Sequence, residues 1–335
     1  AGHFLDGSGD FVRYAELPAC PPGNLRSDVE SIVKDIRDII GRSFESRVSF
    51  DVPTASLLSG GIDSSVIAAV ASKAYRKKFG SEARLKTFAL GVGESEDVKS
   101  ARLVAEHLGT EHHEMIVGLD DILEVLPDVI YHLESFDPSL VRSSASNYLI
   151  SKYASDAGVD VLLSGEGGDE VFCGYNAFKS LPSEEIFGYQ MKCLGYLHSN
   201  ASLRLDRMNM CNSVRVVTPL ISGELLDYSL RIDPALKLKV EGDKKIEKWI
   251  FRISYEGDLP ESIVWRLKQE FSQGSGSAGV LPYYFEKTIG DAEFKEARAK
   301  HPVIRSKEEY YYFRIFSENF GSSHAVKTVG QWPSL

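Results

Sequence analysis

The chain has 335 residues and a net charge of −10, and 43% of its residues are hydrophobic and 26% are charged. This composition is typical of a globular protein, and the length suits one large domain or two. The acidic balance argues against nonspecific nucleic-acid binding, and no apolar stretch approaches the roughly 20 residues of a membrane-spanning helix. Because the beginning of the chain does not resemble a signal peptide and the four cysteines include no CxxC pair, we expect a cytoplasmic protein with reduced thiols and no zinc site.

The first predicted element is a hairpin, in which apolar residues flank the polar segment 6–10 and prolines follow the second arm. We expect residues 1–25 to form this hairpin and a linker, and residues 26–335 to form a separate domain. The next element is a helix, with Ser27 and Glu30 as a predicted capping box and apolar residues at helical spacing along one face.

The most informative segment is a glycine turn between a predicted strand and a predicted helix. An apolar run at residues 55–58 predicts a buried strand, two glycines end this run, and a helical pattern opens at Ser64. Such a turn binds anions, because glycines permit close approach and the first N–H groups of the helix face the ligand. The alternative is an ordinary turn between a strand and a helix.

A carboxylate within this turn makes it distinctive. Asp63 gives a spacing that is neither the GxxxxGK(S/T) phosphate loop nor the GxGxxG motif. A carboxylate beside phosphates requires a cation, which predicts Mg²⁺ bound to pyrophosphate. The SGGxDS spacing is similar to the signature of ATP pyrophosphatases, which cleave ATP between the α and β phosphates.

Further along the chain, predicted strands alternate with predicted helices. The strands are expected at residues 85–90, 112–117 and 159–163, and the helices at residues 98–108, 122–133 and 142–157. This alternation predicts an α/β fold, a parallel sheet with helices on both faces that binds ligands at the carboxyl ends of its strands. From about residue 176 the pattern becomes mostly helical, without clear strands. His112 and His113 are adjacent on a strand and point to opposite faces, so we prefer a structural role to a metal site.

A second glycine-rich acidic loop, residues 164–170, directly follows the last of these strands. Two such loops at the ends of parallel strands belong at the same edge of one sheet. Asp169 is then placed to share a cation with Asp63, and Glu166 is a candidate base that faces the reacting centre. Taken alone, the loop is equally well explained as a solvated acidic turn, but its pairing with the first loop favours a site.

With these two loops the chain resembles the synthetase half of glutamine-dependent asparagine synthetases, whose patterns are LLSGGxDSS and SGEGxDExFxGY. Further matches extend over essentially the whole chain, at residues 108–114, 128–134, 246–249, 266–276 and 307–312. The resemblance implies the PP-loop fold of the adenine nucleotide alpha hydrolase-like proteins. It also implies a two-step amidation, in which ATP adenylates the side-chain carboxylate of aspartate with release of pyrophosphate. Ammonia then attacks the acyl-adenylate to give asparagine and AMP.

The resemblance assigns residues to ATP and to Mg²⁺. Those that match the family at the pyrophosphate are Ser59, Gly60, Gly61, Asp63 and Ser64, and those that match it at the rest of the nucleotide are Leu58, Leu90, Ser164 and Gly165. Mg²⁺ is expected on Asp63 and Asp169.

Three further residues receive roles in the same way. Glu166 would handle the ammonia proton, and Lys268 would stabilise the charge that develops on phosphate. Arg142 matches a TTIR-like segment near aspartate and is a candidate carboxylate clamp, although Leu140 replaces a hydroxyl residue there.

The source of ammonia is a separate question, because the family carries an N-terminal glutaminase domain that begins with a catalytic cysteine. Cys20 lies in a proline-rich linker and is not expected to be that nucleophile. As the chain stands we expect it to use ammonia. It is then a natural ammonia user, the partner of a separate glutaminase subunit, or a protein whose glutaminase domain has been removed. The sequence leaves open whether it forms a homodimer.

Two other functions remain open. One is a related adenylating amide synthetase that acts on a different acid, such as a β-lactam synthetase. These enzymes have tyrosine where Glu166 stands, so Glu166 favours free ammonia. The other is a nucleotide-binding homologue that has lost catalysis, against which the joint presence of Glu166, Asp169 and Lys268 argues, because binding alone does not require them.

Overall fold

A computed structural model describes residues 2–19, 21, 23–93, 95–266 and 279–330. The strands are β1 (His3–Leu5), β2 (Phe11–Arg13), β3 (Thr54–Leu57), β4 (Lys86–Val92), β5 (Glu111–Val117), β6 (Val161–Leu163), β7 (Arg215–Val217), β8 (Leu238–Glu241) and β9 (Lys244–Glu247). The α-helices are α1 (Val29–Glu45), α2 (Ile62–Phe79), α3 (Glu96–Leu108), α4 (Leu119–Leu133), α5 (Pro138–Asp156), α6 (Gly168–Phe172), α7 (Ile186–Tyr196), α8 (Ala201–Met210), α9 (Gly223–Leu230), α10 (Pro234–Lys237), α11 (Trp249–Ile253), α12 (Glu261–Val264), α13 (Val280–Thr288), α14 (Asp291–Lys300) and α15 (Lys307–Phe320). Within the described ranges, no helix is both long enough and apolar enough to cross a membrane.

Strands β3 to β7 form a parallel sheet in the order β5-β4-β3-β6-β7. The chain runs from β3 outward to β5 and then returns to β6 on the other side of β3, so the strand order reverses between β3 and β6. In open parallel sheets, ligands bind outside the carboxyl ends of the strands at this reversal. The two glycine-rich loops follow β3 and β6, so the predicted placement at one sheet edge is confirmed.

Helices cover both faces of this sheet, as predicted. Leu162 packs into a cluster with residues of α4, α5 and α15, whereas Leu163 packs into a cluster with residues of α1, α2 and α3. Successive residues of a strand point to opposite faces, and this alternation supplies two separate apolar cores.

Two helix starts differ from the sequence prediction. Helix α1 begins at Val29 with Asp28 as its N-cap and without a side-chain cap hydrogen bond, so the predicted capping box of Ser27 and Glu30 is wrong. Its apolar face is nevertheless buried. Helix α2 begins at Ile62 instead of Ser64, because the extended backbone of Gly61 already serves as the N-cap. Asp63 therefore lies in the first helical turn, where its carboxylate is close to the positive end of the helix dipole.

The part of the chain beyond residue 176 is mostly helical, as predicted, but the expectation that it has no clear strands is wrong. Strand β7 joins the edge of the parallel sheet beside β6, and β8 and β9 form a separate antiparallel hairpin. Strand β7 has three residues, as β6 does, but the sequence around it has a mostly helical pattern. Its position is set by backbone pairing with β6, which the local sequence does not reveal.

The predicted N-terminal hairpin is present. Strands β1 and β2 pair antiparallel, and Asp6 closes the turn by accepting hydrogen bonds from the N–H groups of Ser8 (3.0 Å) and Asp10 (2.9 Å). The division into an N-terminal segment (1–25) and a domain (26–335) stays a prediction.

Candidate active site

The two glycine-rich loops line a cleft of about 770 Å³. Most of the residues predicted from sequence line it, namely Leu58, Ser59, Asp63, Ser64, Leu90, Arg142, Ser164, Gly165, Glu166 and Asp169. Gly60 and Gly61 belong to the first loop but are not among the lining residues that the structure describes. Lys268 lies outside the described residues. We call residues 58–64 and 164–169 the near wall.

The first loop is held in shape by its own polar groups. The N–H of Ser59 donates to Ser64 Oγ (3.1 Å), and that hydroxyl donates to the carbonyl of Gly61 (3.1 Å). Gly60 has a φ of +70°, and a Cβ there would lie 2.5 Å from the backbone nitrogen of Ala101. Glycine is required at this position, both for the left-handed backbone and for the close approach of α3.

The second loop packs directly on the first. A Cβ on Gly165 would lie 2.5 Å from the backbone carbon of Asp63 and from the nitrogen of Ser64. A Cβ on Gly168 would clash with the carboxylate of Asp63. The absence of side chains at these two glycines therefore lets the loops from β3 and β6 touch.

The carboxylates of the two loops meet at a buried lysine. Lys248 Nζ lies 2.5 Å from Asp63 Oδ2 and 2.6 Å from Asp169 Oδ1, and the lysine side chain is 1% exposed. The second oxygen of Asp63, Oδ1, is buried and has no hydrogen-bond partner among the residues that the structure describes. The sequence analysis did not identify Lys248 as a site residue. The only indication was that it lies within residues 246–249, one of the segments that match the family.

Glu166 also has a partner that sequence reasoning missed. Its Oε2 accepts a hydrogen bond from Nη2 of Arg204, which lies on α8. Both side chains line the cleft, and the N–H of Glu166 donates to Ser164 Oγ (3.2 Å). The carboxylate is thus held at the cleft surface by an ion pair that connects the second loop to α8.

In another part of its lining, the cleft has five charged side chains that form what we call the far wall: Asp137, Arg142, Arg305, Glu308 and Glu309. Arg142 donates to Glu308 (2.8 Å), while Arg305 donates to Asp137 (2.8 Å) and to Glu309 (2.7 Å). Burial raises the pKa of Glu308, and the nearby charge of Arg142 opposes this rise. Of these residues the sequence analysis identified only Arg142.

The two adjacent histidines of β5 contact neighbouring strand residues. His112 Nδ1 lies 2.9 Å from the Thr87 hydroxyl, and the ring of His113 stacks on Phe88 with centroids 4.9 Å apart. Among the described residues, no group of three or more metal-ligating side chains is found.

Glu170, the residue after Asp169, is buried beneath the second loop instead of facing the cleft. Its carboxylate accepts a hydrogen bond from the Tyr175 hydroxyl (2.5 Å). Burial, together with the charges of Glu166 and Asp169, raises the pKa of Glu170 to about 7, although the hydrogen bond from Tyr175 acts in the opposite direction. In the second loop, Glu166 and Asp169 therefore line the cleft, whereas Glu170 is buried in the interior.

Comparison with known proteins agrees with this geometry. The family model for asparagine synthase matches residues 35–191 and 186–327. A probable glutamine-hydrolyzing asparagine synthetase of Dictyostelium discoideum is 32% identical over 99% of this chain and 64% of that protein. Asparagine synthetase B of Escherichia coli is 35% identical over 90% of this chain and 56% of that protein. The chain thus spans between about half and two thirds of the length of these curated relatives.

Among solved structures, NAD⁺ synthetase from Burkholderia pseudomallei is similar with a TM-score of 0.32 and 16% identity, over 62% of this chain and 83% of that one. The family model covers most of the chain, including both loops and much of the far wall. The chain therefore belongs to the asparagine synthase family.

Proposed function

We propose that this chain is an ATP-dependent amide-forming ligase that adenylates the side-chain carboxylate of aspartate and transfers ammonia to it. The observation that carries the proposal is the convergence of two glycine-rich loops, with Asp63, Asp169 and Glu166, on one cleft at the reversal of strand order. The relatives are named as asparagine synthetases, which supports aspartate as the acid.

The near wall would bind ATP. The N-terminus of α2 and the glycine turn before it present backbone N–H groups and the positive end of a helix dipole, which suit the pyrophosphate portion. Gly60 and Gly61 shape this turn, and Ser59 and Ser64 line the cleft beside it. Leu58, Leu90, Ser164 and Gly165 would contact the rest of the nucleotide, as the family resemblance implies.

The carboxylates of the near wall fit Mg²⁺. Asp63 and Asp169 approach one another from adjacent loops, and Asp63 Oδ1 is a buried acceptor without a partner among the described residues. Mg²⁺ in nucleotide sites is held by one or two carboxylates together with phosphate oxygens and water, so a third protein ligand is not needed. Asp63 and Asp169 would hold the Mg²⁺, which would supply positive charge near the phosphates of ATP.

The aspartate carboxylate would attack the α phosphate of ATP to form an acyl-adenylate and release pyrophosphate. Arg142 would bind the α-carboxylate of aspartate, since guanidinium groups bind carboxylates well. This contact would help to bring the negatively charged aspartate close to the negatively charged ATP. Lys268 keeps the role that the family resemblance implies, the stabilisation of charge on phosphate.

Glu166 would act in the second step. Ammonia attacks the carbonyl carbon of the acyl-adenylate, the nitrogen gives up a proton, and the carbon–oxygen bond to AMP breaks. A carboxylate at the cleft surface can accept that proton, and the ion pair with Arg204 keeps the carboxylate oriented. We propose that residues 1–335 use free ammonia and that glutamine hydrolysis requires a separate subunit or a further domain.

The experiment supplies aspartate, ATP and Mg²⁺ with either ammonium chloride or glutamine and measures asparagine. We expect asparagine with ammonium but not with glutamine. Replacing the base in E166Q should leave ATP binding unchanged and reduce asparagine formation by about 100-fold, the typical contribution of a general base. Asparagine formation in E166Q at the wild-type rate would remove Glu166 from the reaction, and wild-type protein without product would contradict the proposed function.

A further inference from the structure

Lys248 is a buried cation to which the proposed reaction gives no role. Its side chain is 1% exposed, and its ammonium contacts one carboxylate from each loop, at 2.5 Å (Asp63) and 2.6 Å (Asp169). Removing a charge from water is expensive unless the charge is closely paired. The lysine is not among the residues that line the cleft, so it acts on the site through the two carboxylates.

The surrounding structure holds Lys248 in this position. Its backbone is in the left-handed region with a φ of +56°, which is unfavourable for a residue with a side chain. The preceding residue, Glu247, fixes the backbone there, because its carboxylate pairs with Lys179 (2.7 Å) and Arg252 (2.6 Å). On the other side, a Cβ on Gly174 would clash with the lysine stem. The space for the lysine therefore depends on a glycine just beyond the second loop.

We propose that Lys248 is a positioning residue, the internal counter-cation that holds the carboxylates of Asp63 and Asp169 together when no metal is bound. This inference rests on the proposed function, which assigns the same two carboxylates to Mg²⁺. Without a cation, two carboxylates brought together by different loops repel one another and push the loops apart. The lysine removes this repulsion and leaves Asp63 Oδ1 without a hydrogen-bond partner among the residues that the structure describes.

Lys248 and Mg²⁺ would both be attracted to the carboxylates of Asp63 and Asp169, so the loss of one cation should increase the effect of the other. If the lysine is removed, the repulsion between the carboxylates returns, and Mg²⁺ becomes the available cation to relieve it. The stability of the fold should then depend on Mg²⁺ much more than it does in the wild type. A lysine that only filled space would not produce this dependence.

The test is thermal unfolding of the full chain in EDTA and in Mg²⁺ alone, without nucleotide. In EDTA we expect K248M to unfold about 4–7 °C below the wild type, as for the loss of one partner of a buried ion pair in a chain of this size. Added Mg²⁺ should raise the unfolding temperature of K248M by several degrees more than that of the wild type.

Lys237 offers a matched control. It is also buried (2% exposed), but its ammonium donates to neutral oxygens, the side chain of Gln190 (2.9 Å) and the carbonyl of Ser229 (3.1 Å). K237M should lose stability equally in EDTA and in Mg²⁺. The inference is overturned if Mg²⁺ raises the unfolding temperatures of K248M, K237M and wild type by the same amount.

A double-mutant cycle in EDTA tests the same contact without metal. K248M should lower the unfolding temperature less in a D63N background than in the wild type, because the repulsion that the lysine relieves is already reduced. If K248M does not fold alone, its recovery in D63N/K248M supports the inference. Equal effects in both backgrounds, or failure of the double variant to recover, overturn it. Failure of the proposed function would appear separately, as absence of asparagine formation by the wild-type protein.

Discussion

The two loops of the near wall contact one another through backbone, whereas the parts of the far wall are joined by ion pairs between charged side chains. In the near wall, Gly165 lets the second loop rest on the backbone of Asp63 and Ser64. In the far wall, Arg142 donates a hydrogen bond to Glu308, which lies 166 residues away in the sequence. Under the proposed function, ATP binding would depend on short, local motifs, while selection of the acid would depend on long-range ion pairs. The two functions should therefore fail separately when each wall is altered.

The largest effect is expected at the near wall. In G165A, the new Cβ would meet the backbone of Asp63 and Ser64 at 2.5 Å, and backbone cannot move aside as a side-chain end can. We expect separation of the loops and a loss of pyrophosphate release of at least about 100-fold, since misplacement by about 1 Å has effects of that size.

The matched control is G188A, because Gly188 lies within α7 and a Cβ there meets nothing within 4 Å. This variant should retain wild-type pyrophosphate release. Equal activity of G165A and G188A would show that the contact between the loops does not matter.

An intermediate effect is expected at the far wall. R142M should raise the KM for aspartate by about 10- to 100-fold, the value of a hydrogen bond to a charged group, and should leave the KM for ATP near that of the wild type. Steady-state kinetics with each substrate varied in turn would measure both constants.

K152M on the same helix provides the control, because Lys152 is exposed and pairs loosely with Asp156 (3.8 Å). The double variant R142M/E308Q removes the buried carboxylate that R142M would leave without its arginine, and so separates a folding defect from a binding defect. A rise of both KM values together would contradict the separation of the two walls.

The smallest effect is expected at the connection between the second loop and α8. R204M removes the guanidinium that orients Glu166 but keeps the base itself. We expect kcat with ammonium to fall about 3- to 10-fold, the contribution of one hydrogen bond, with little change in the KM for ATP. R207M, which alters a neighbouring arginine paired with Glu134 (3.0 Å), should behave as wild type. A loss in R204M as large as that in E166Q would mean that Arg204 itself contacts the reacting groups.

The same contrast explains what the sequence could predict. Strands β3 to β6 lie in apolar runs that alternate with helical patterns, and the strand–turn–helix pattern predicts the near wall locally. Strand β7 is as short as β6 but was missed because it lies in a mostly helical part of the chain and is placed by pairing with β6. Lys248 is 185 positions from Asp63 and Arg204 is 38 positions from Glu166, so these partners meet through tertiary packing that no local pattern encodes.

The most direct test of the central claim follows an oxygen atom. If the side-chain carboxylate of aspartate attacks the α phosphate of ATP, aspartate labelled there with ¹⁸O should transfer one labelled oxygen to AMP for each asparagine formed with ammonium. Mass spectrometry of the nucleotide product would show this label. Asparagine accompanied by unlabelled AMP, or by ADP and labelled inorganic phosphate, would contradict adenylation in the cleft between the two loops.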